Sequence, residues 1–136
     1  MRTATGSVYY LTDNQGSVIG MVDAQGQKVA GYAYTPYGET RTITGTPTGT
    51  PTGDVTQATN NPYRYTSGYL DTASNLYKLG YRYYDPAQGR FIQQDPSGQE
   101  SNLFAYTGGD PVNFMDLSGK SFLSVVNGIA AARGCR

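Results

Sequence analysis

The sequence predicts an all-β protein, built as an antiparallel meander of short strands and tight turns. Of its 136 residues, 13 are tyrosine and 18 are glycine, whereas tryptophan and histidine are absent. Tyrosine and β-branched residues favour the pleated, half-buried surface of a sheet, and frequent glycine supplies tight turns. A chain of this length can form one domain with a modest core.

The first strands are predicted between residues 6 and 40. The segments SVYYLT, SVIGMVD and KVAGYAYTPYGE are separated by the turn sequences DNQG and AQGQ. Tyr32 and Tyr34 are separated by one small residue, as two residues on the same strand face must be. These features predict a three-stranded antiparallel meander.

Residues 41–61 interrupt this pattern with a Thr/Gly/Pro-rich insertion. The repeated TGTP sequence has almost nothing to bury, and its prolines cannot join a central strand ladder. We interpret the segment as a solvated surface insertion, with a glycosylated or contact-making loop as the alternative.

Hairpin patterns resume after the insertion. Tyr63 and Tyr65, and then Tyr81 and Tyr83, repeat the alternate spacing, and DTASN between YTSGYL and LYKLGYRYY has the composition of a turn. The similarity of these distant segments is typical of internal repeats whose unit is a strand pair.

The C-terminal part divides into a turn-rich segment and an apolar tail. The sequence from 97 to 120 contains GGDPVN and DLSG, both typical of turns. Apolar residues at positions 122, 123, 125, 126 and 129 predict a short amphipathic helix in the tail. We therefore divide the chain into a core module, 1–120, and a tail, 121–136.

Composition restricts the possible chemistry. Ten basic residues balance ten acidic ones, so no net charge attracts the chain to nucleic acid or to an anionic membrane. Without histidine, a Ser/His/Asp triad and histidine metal sites are impossible, and we identify no metal-binding or cofactor-binding pattern. No segment is apolar enough to span a bilayer, and MRTATGSVYY lacks a signal peptide's apolar region, so an export signal must lie outside this chain.

Three segments resemble, in the same order, the RHS-repeat-associated core of YD-repeat proteins. They are YYLTDNQGSVIGMVDAQGQKVAGYAYTPYGE, YRYTSGYLDTASNLYKLGYRYYDPAQGRFIQQDPSG and NLFAYTGGDPVNFMDLSG. Together they cover most of residues 8–119. In bacterial RHS proteins and the C subunits of insecticidal toxin complexes, such repeats wind a β-sheet into a hollow shell, and the core is its C-terminal plug. Variable toxins follow the core, so the resemblance implies a structural role in enclosing or presenting a toxin cargo.

The resemblance also implies a possible self-cleavage site. Asp95 of QDPSG and Asp116 of MDLSG match the aspartate pair of cleaving relatives, and Arg82 of YRYYDP matches an associated arginine. Of two carboxylates held close together, one keeps its proton and acts as an acid while the other activates water or the carbonyl. Relatives resembling Asp-Pro-x-Gly-Leu are cut after Leu, so the cut would follow Lys120. This chain has Leu117 where the relatives have Pro, and Lys120 where they have Leu.

Two alternatives remain open on the sequence. The aspartates are also ordinary turn residues, and Arg82 and Arg90 can pair with them or stack on tyrosine without any catalysis. Because 136 residues are too few for a complete shell, the chain is either the terminal part of a large shell or a small subunit that adds strands from other copies into a filament or ring. The expected partners are upstream repeats, other copies or a C-terminal toxin, and the expected location is secreted or on a bacterial cell surface.

Overall fold

The computed structural model describes residues 2–3, 6–41, 52–53, 59–98, 101–121, 123–126 and 129–132. Its strands are β1 (Arg2–Thr3), β2 (Gly6–Ser7), β3 (Tyr9–Thr12), β4 (Val18–Val22), β5 (Lys28–Gly31), β6 (Thr52–Gly53), β7 (Tyr69–Asp71), β8 (Leu76–Leu79), β9 (Arg82–Asp85), β10 (Arg90–Phe91), β11 (Phe114–Met115), β12 (Leu123–Val126) and β13 (Ile129–Ala132). Every pairing between them is antiparallel. The predicted all-β class is confirmed.

The first large sheet has the strand order β3-β4-β5-β6 and contains the predicted meander. Asp13 closes its first turn because one carboxylate oxygen accepts the N–H groups of Gln15 and Ser17, both at 2.9 Å. Gly16 in the same turn has a φ of +77°, a conformation that glycine adopts without steric cost. Of the Thr/Gly/Pro-rich insertion predicted at 41–61, residues 42–51 and 54–58 lie outside the described residues. Strand β6 falls within it, and Asn61 at its end is buried, so the prediction of a solvated segment is wrong at this residue.

The second large sheet has the order β10-β9-β8-β7 and covers the main core. Seven buried side chains form this core, namely Tyr65, Leu70, Tyr77, Leu79, Tyr84, Phe91 and Tyr106. Of the predicted alternate pairs, only Tyr32 and Tyr34 stack on each other. The prediction is wrong for Tyr81 and Tyr83, which are both exposed, because the buried tyrosine of β9 is Tyr84. The opposite face of the sheet exposes Tyr69 and Tyr83.

A corner at residues 64–67 joins the two large sheets. The backbone N–H of Val18 donates to the Arg64 carbonyl at 3.0 Å, and the N–H of Thr66 donates to the Ser17 hydroxyl at 2.9 Å. The Ser67 hydroxyl donates to the carbonyl of Gly16 at 2.6 Å. These bonds fix the first hairpin against the second half of the chain.

The predicted C-terminal helix is wrong. The tail contains β12 and β13, which pair with each other, and β12 also pairs with β11. Val125, Val126 and Ile129 are β-branched and favour strands, and the intervening Asn127-Gly128 is a sequence typical of two-residue hairpins. The division of the chain at residue 120 stays a prediction. In the described part of the chain, no helix is long and apolar enough to cross a membrane.

Candidate functional site

Arg82 is the centre of the site, at the first position of β9. It is buried, and its Nη2 lies 3.2 Å from Oδ2 of Asp116. Its Nε donates to the carbonyl of Gly119 at 2.6 Å, and the guanidinium carbon lies 3.6 Å above the ring centroid of Phe91. The guanidinium is therefore held by contacts on three sides.

Asp116 follows β11 and is only 2% exposed. Besides the Arg82 contact, its Oδ1 accepts the N–H of Gly119 at 2.8 Å and the hydroxyl of Ser118 at 3.1 Å. Burial raises the pKa of the Asp116 carboxyl above its usual value, whereas Ser118 and Arg82 act in the opposite direction. Asp116 is thus buried but paired with a cation and hydrogen-bonded, the arrangement that a buried carboxylate requires.

Asp95 lies after β10, where its carboxylate closes a turn. Oδ1 of Asp95 accepts the backbone N–H of Ser97 at 2.8 Å and the Ser97 hydroxyl at 2.7 Å. Its connection to Arg82 runs through Leu103, because the N–H of Asp95 and Nη1 of Arg82 both donate to the Leu103 carbonyl, at 2.8 and 3.2 Å. The structure thus places Arg82 and Asp116 in direct contact, with Asp95 linked to them through this carbonyl.

The segment from Asp116 to Lys120 is held tightly against the start of β9. The N–H of Tyr81 donates to the Ser118 carbonyl at 3.0 Å. Gly80 has a φ of +52°, and a Cβ added there would overlap the backbone of Ser118. The backbone of Ser118 can therefore pass this close to residue 80 only because that residue is glycine.

The peptide bond after Lys120 is contacted from both sides. The hydroxyl of Ser97 donates to the carbonyl oxygen of Lys120 at 3.2 Å. On the other side, the N–H of Ser121 donates to the hydroxyl oxygen of Ser118 at 3.3 Å. The Nζ of Lys120 lies 3.7 Å from the ring centroid of Tyr81, so the lysine that replaces an apolar residue packs on an aromatic face.

The sequence reasoning missed Ser97 and Ser118. Both belong to the same short pattern, Asp-x-Ser-Gly, in DPSG at 95–98 and in DLSG at 116–119. In each copy the serine hydroxyl donates to the aspartate two residues earlier, and the glycine has a positive φ, +62° and +66°. The repetition of this pattern is a signal by which the two serines can be found.

The described residues contain no group of three or more Cys, Asp or Glu side chains arranged to hold a metal ion. The chemistry available at the site is that of carboxylates, hydroxyls and a guanidinium. Such groups can transfer protons and polarise a carbonyl.

Comparison with known families identifies the architecture. The Teneurin YD-shell family matches residues 1–115, which is most of the chain. The chain belongs to this family. The predicted resemblance to the core of YD-repeat proteins is confirmed, and the chain is a structural shell module of the RHS type.

Relatives of this YD-shell module occur in very different organisms. The salivary gland surface protein 1 of Aedes aegypti is 35% identical over 125 residues, covering 87% of this chain and 3% of that protein. The tRNA nuclease WapA of Bacillus subtilis is 34% identical over 133 residues, covering 93% of this chain and 5% of that protein. The module therefore spans only a small part of the length of these curated relatives.

Solved structures show the same fold. A chain of the Photorhabdus luminescens Tc holotoxin pore superposes with a TM-score of 0.70 at 30% identity, covering 82% of this chain and 5% of that chain. The YD-shell module thus matches part of a toxin assembly in both sequence and backbone. The module is therefore a part of a shell, which is a structural element.

Proposed function

We propose that this chain forms the C-terminal part of a β-sheet shell that encloses or presents a toxin cargo. The observation that carries the proposal is the match to a YD-shell over residues 1–115, together with the superposition on a chain of a toxin pore. The fold supports this role, since short antiparallel sheets follow one another along the chain and the segment after β10 folds back onto β9. The enclosed partner is a polypeptide joined to the module, and upstream repeats complete the wall.

A graft tests enclosure directly. The matching region of the Tc chain is replaced by residues 1–120, and an unstructured epitope-tagged segment is attached after Lys120. We expect the tag to resist an added protease when the graft is intact. The same graft carrying Gly80→Ala, which disrupts the crossing of the Ser118 backbone, should lose this protection. A correctly sized shell whose tag is digested as fast as a free peptide contradicts enclosure.

We also propose that the module acts outside the cytoplasm, secreted or on a cell surface. The names of two relatives, a salivary gland surface protein and a holotoxin pore, support this location. Fractionation of the native host, followed by detection of the module with an antibody, tests it. Recovery in the cytoplasm alone contradicts it.

Self-cleavage between Lys120 and Ser121 is the second candidate function. The observation that favours it is that the polar atoms of this peptide bond, the Lys120 oxygen and the Ser121 nitrogen, contact serines bonded to Asp95 and Asp116. Arg82 holds Asp116 and the segment before the bond in place. The reaction is a single turnover on the chain itself.

Denaturing mass spectrometry of freshly purified protein tests self-cleavage. We expect wild type to lose residues 121–136 with time, whereas the Asp95→Asn/Asp116→Asn double variant stays whole. Lys120→Leu, which restores an apolar residue before the cut, serves as a second cleavable substrate. If wild type and Lys120→Leu both keep their full mass, self-cleavage is wrong and only the shell role stands.

A further inference from the structure

The Lys120–Ser121 peptide bond lies between two matched Asp-Ser pairs. On the acyl side, Oδ1 of Asp95 lies 2.7 Å from the Ser97 hydroxyl, which lies 3.2 Å from the Lys120 carbonyl oxygen. On the amine side, Oδ1 of Asp116 lies 3.1 Å from the Ser118 hydroxyl, which lies 3.3 Å from the Ser121 nitrogen. Each aspartate thus reaches one polar atom of the same bond through one hydroxyl.

We propose that Ser97 and Ser118 are catalytic residues of the self-cleavage, relaying protons between the two aspartates and the two polar atoms of the peptide bond. This inference rests on the proposed self-cleavage and goes beyond it, because it adds two hydroxyl groups to the aspartates and arginine predicted from the sequence. Both serines contact atoms that change their bonding in the reaction.

The acyl-side pair acts as a relay in one of its two proton arrangements. A serine hydroxyl carries one hydrogen, so Ser97 cannot donate to Asp95 and to the Lys120 carbonyl at the same time. In the structure Ser97 donates to Asp95; once Asp95 takes up a proton, it can donate to Ser97 instead, and Ser97 then donates its own hydrogen to the carbonyl oxygen. The relay therefore polarises the carbonyl in those molecules in which Asp95 carries a proton.

The amine-side pair starts in the opposite state. The relay uses the ionised form of Asp116, which burial disfavours and which Arg82, at 3.2 Å, and the Ser118 hydroxyl favour. The Ser118 hydroxyl donates to Asp116, and its oxygen accepts the N–H of Ser121. The ionised Asp116 can therefore accept a proton through Ser118 and later return it to the Ser121 nitrogen.

The reaction then balances as a hydrolysis. A water oxygen forms a bond to the Lys120 carbonyl carbon, its proton passes through Ser118 to Asp116, and the Asp95 proton passes through Ser97 to the carbonyl oxygen. When the carbon–nitrogen bond breaks, Asp116 returns its proton through Ser118 to the Ser121 nitrogen, and the Ser97 relay returns one to Asp95. The products are the Lys120 carboxyl group and the Ser121 amine, and both aspartates regain their starting states.

The test compares serine variants of the whole 136-residue chain by denaturing mass spectrometry over time. We expect Ser97→Ala to slow cleavage by about 100-fold, the order lost when one donor to a reacting carbonyl is removed. Ser118→Ala should slow it similarly, and Ser97→Thr, which keeps a hydroxyl, should cleave within a few-fold of wild type. Ser74→Ala is the matched control, because Ser74 also donates to an aspartate, Asp71, at 2.6 Å but lies in the exposed β7–β8 turn.

The outcomes separate this inference from self-cleavage itself. Thermal unfolding of each variant identifies loss of structure, so a variant that cleaves slowly but unfolds at the wild-type temperature has lost catalysis alone. If Ser97→Ala cleaves as fast as wild type, or if Ser97→Thr is as slow as Ser97→Ala, the relay is wrong while self-cleavage stands. If neither wild type nor Lys120→Leu is cut, self-cleavage fails and the relay with it.

Discussion

The guanidinium of Arg82 lies 3.2 Å from the carboxylate of Asp116, and both side chains are buried. The pair connects β9 to the residue directly after β11, across 34 positions of the chain. A buried ion pair need not add net stability, but losing one partner leaves an uncompensated charge in the interior. The contact therefore makes the fold depend on both residues.

Arg82→Met should destabilise the protein by about 3–5 kcal/mol, because Asp116 would then be buried without its cation. Urea unfolding monitored by circular dichroism measures this loss. Arg90→Met is the matched control, since Arg90 is exposed and its guanidinium carbon lies 5.2 Å from the Phe104 ring centroid. A loss for Arg82→Met no larger than for Arg90→Met would show that the pair is dispensable.

Gly80→Ala should destabilise the fold far more than Gly26→Ala. Both glycines have positive φ, +52° and +78°, so alanine is strained at either position. A Cβ at Gly80 also overlaps the Ser118 backbone, whereas a Cβ at Gly26 meets nothing within 4 Å. We expect Gly26→Ala to lower the free energy of unfolding by about 1 kcal/mol and Gly80→Ala by clearly more. Equal losses of unfolding free energy for the two variants would mean that the Ser118 backbone moves away from residue 80 without cost.

Two tyrosine hydroxyls in the core should respond differently to removal. The Tyr84 hydroxyl donates to the Tyr37 carbonyl at 2.6 Å, so Tyr84→Phe should lose about 1 kcal/mol of stability. The buried Tyr106 hydroxyl has no well-formed hydrogen bond to the described residues, so Tyr106→Phe should be neutral or stabilising. Chemical denaturation of the two variants side by side distinguishes them, and a larger loss for Tyr106→Phe contradicts the assignment.

Alkaline pH should unfold the protein through its buried tyrosines. Burial raises the pKa of Tyr65 and of Tyr77 to about 12, and it raises the pKa of Tyr84 and Tyr106 as well. Unfolded tyrosine titrates near pH 10, so the unfolded chain loses protons first. Stability should stay constant with respect to these groups below about pH 10 and fall as the pH rises toward 12.

Urea midpoints measured across this range, with tyrosinate absorbance recorded in parallel, check the expectation. Tyr77→Phe should weaken the dependence on pH, since it removes one such group. Titration of all tyrosines together near pH 10 in a protein that stays folded would contradict it.

The sequence allowed the sheets to be predicted because their signals are local. The tyrosine-rich and β-branched segments indicated the strands, and Asp13 and Gly16 indicated the first turn. The buried face of β9 was not predicted, since Tyr84 is buried whereas Tyr81 and Tyr83 are exposed. The tail was different, since its apolar spacing suits a helix as well as a buried hairpin. β12 pairs with Phe114 and Met115, which lie outside the tail, so the spacing of apolar residues within the tail does not contain this contact.

The site was predicted only in part for the same reason. Asp95, Asp116 and Arg82 were selected by resemblance, and the structure connects all three to one segment. The hydroxyl of Ser97 meets the carbonyl of Lys120 across 23 positions, a contact that composition and spacing do not contain. The repeated Asp-x-Ser-Gly pattern marks the serines as turn residues and does not reveal which backbone atoms they contact.

The pairing of β11 with β12 separates chemical cutting from physical release. Residues 114 and 115 lie before the Lys120–Ser121 bond, whereas their partners, Ser124 and Leu123, lie after it. A cut at that bond would leave a two-part molecule whose pieces remain joined by strand hydrogen bonds. Dissociation of the downstream piece is then a second, reversible step, whose rate depends on how fast the short β11–β12 pairing opens. A cleaved chain can therefore keep the size of the intact protein in native buffer.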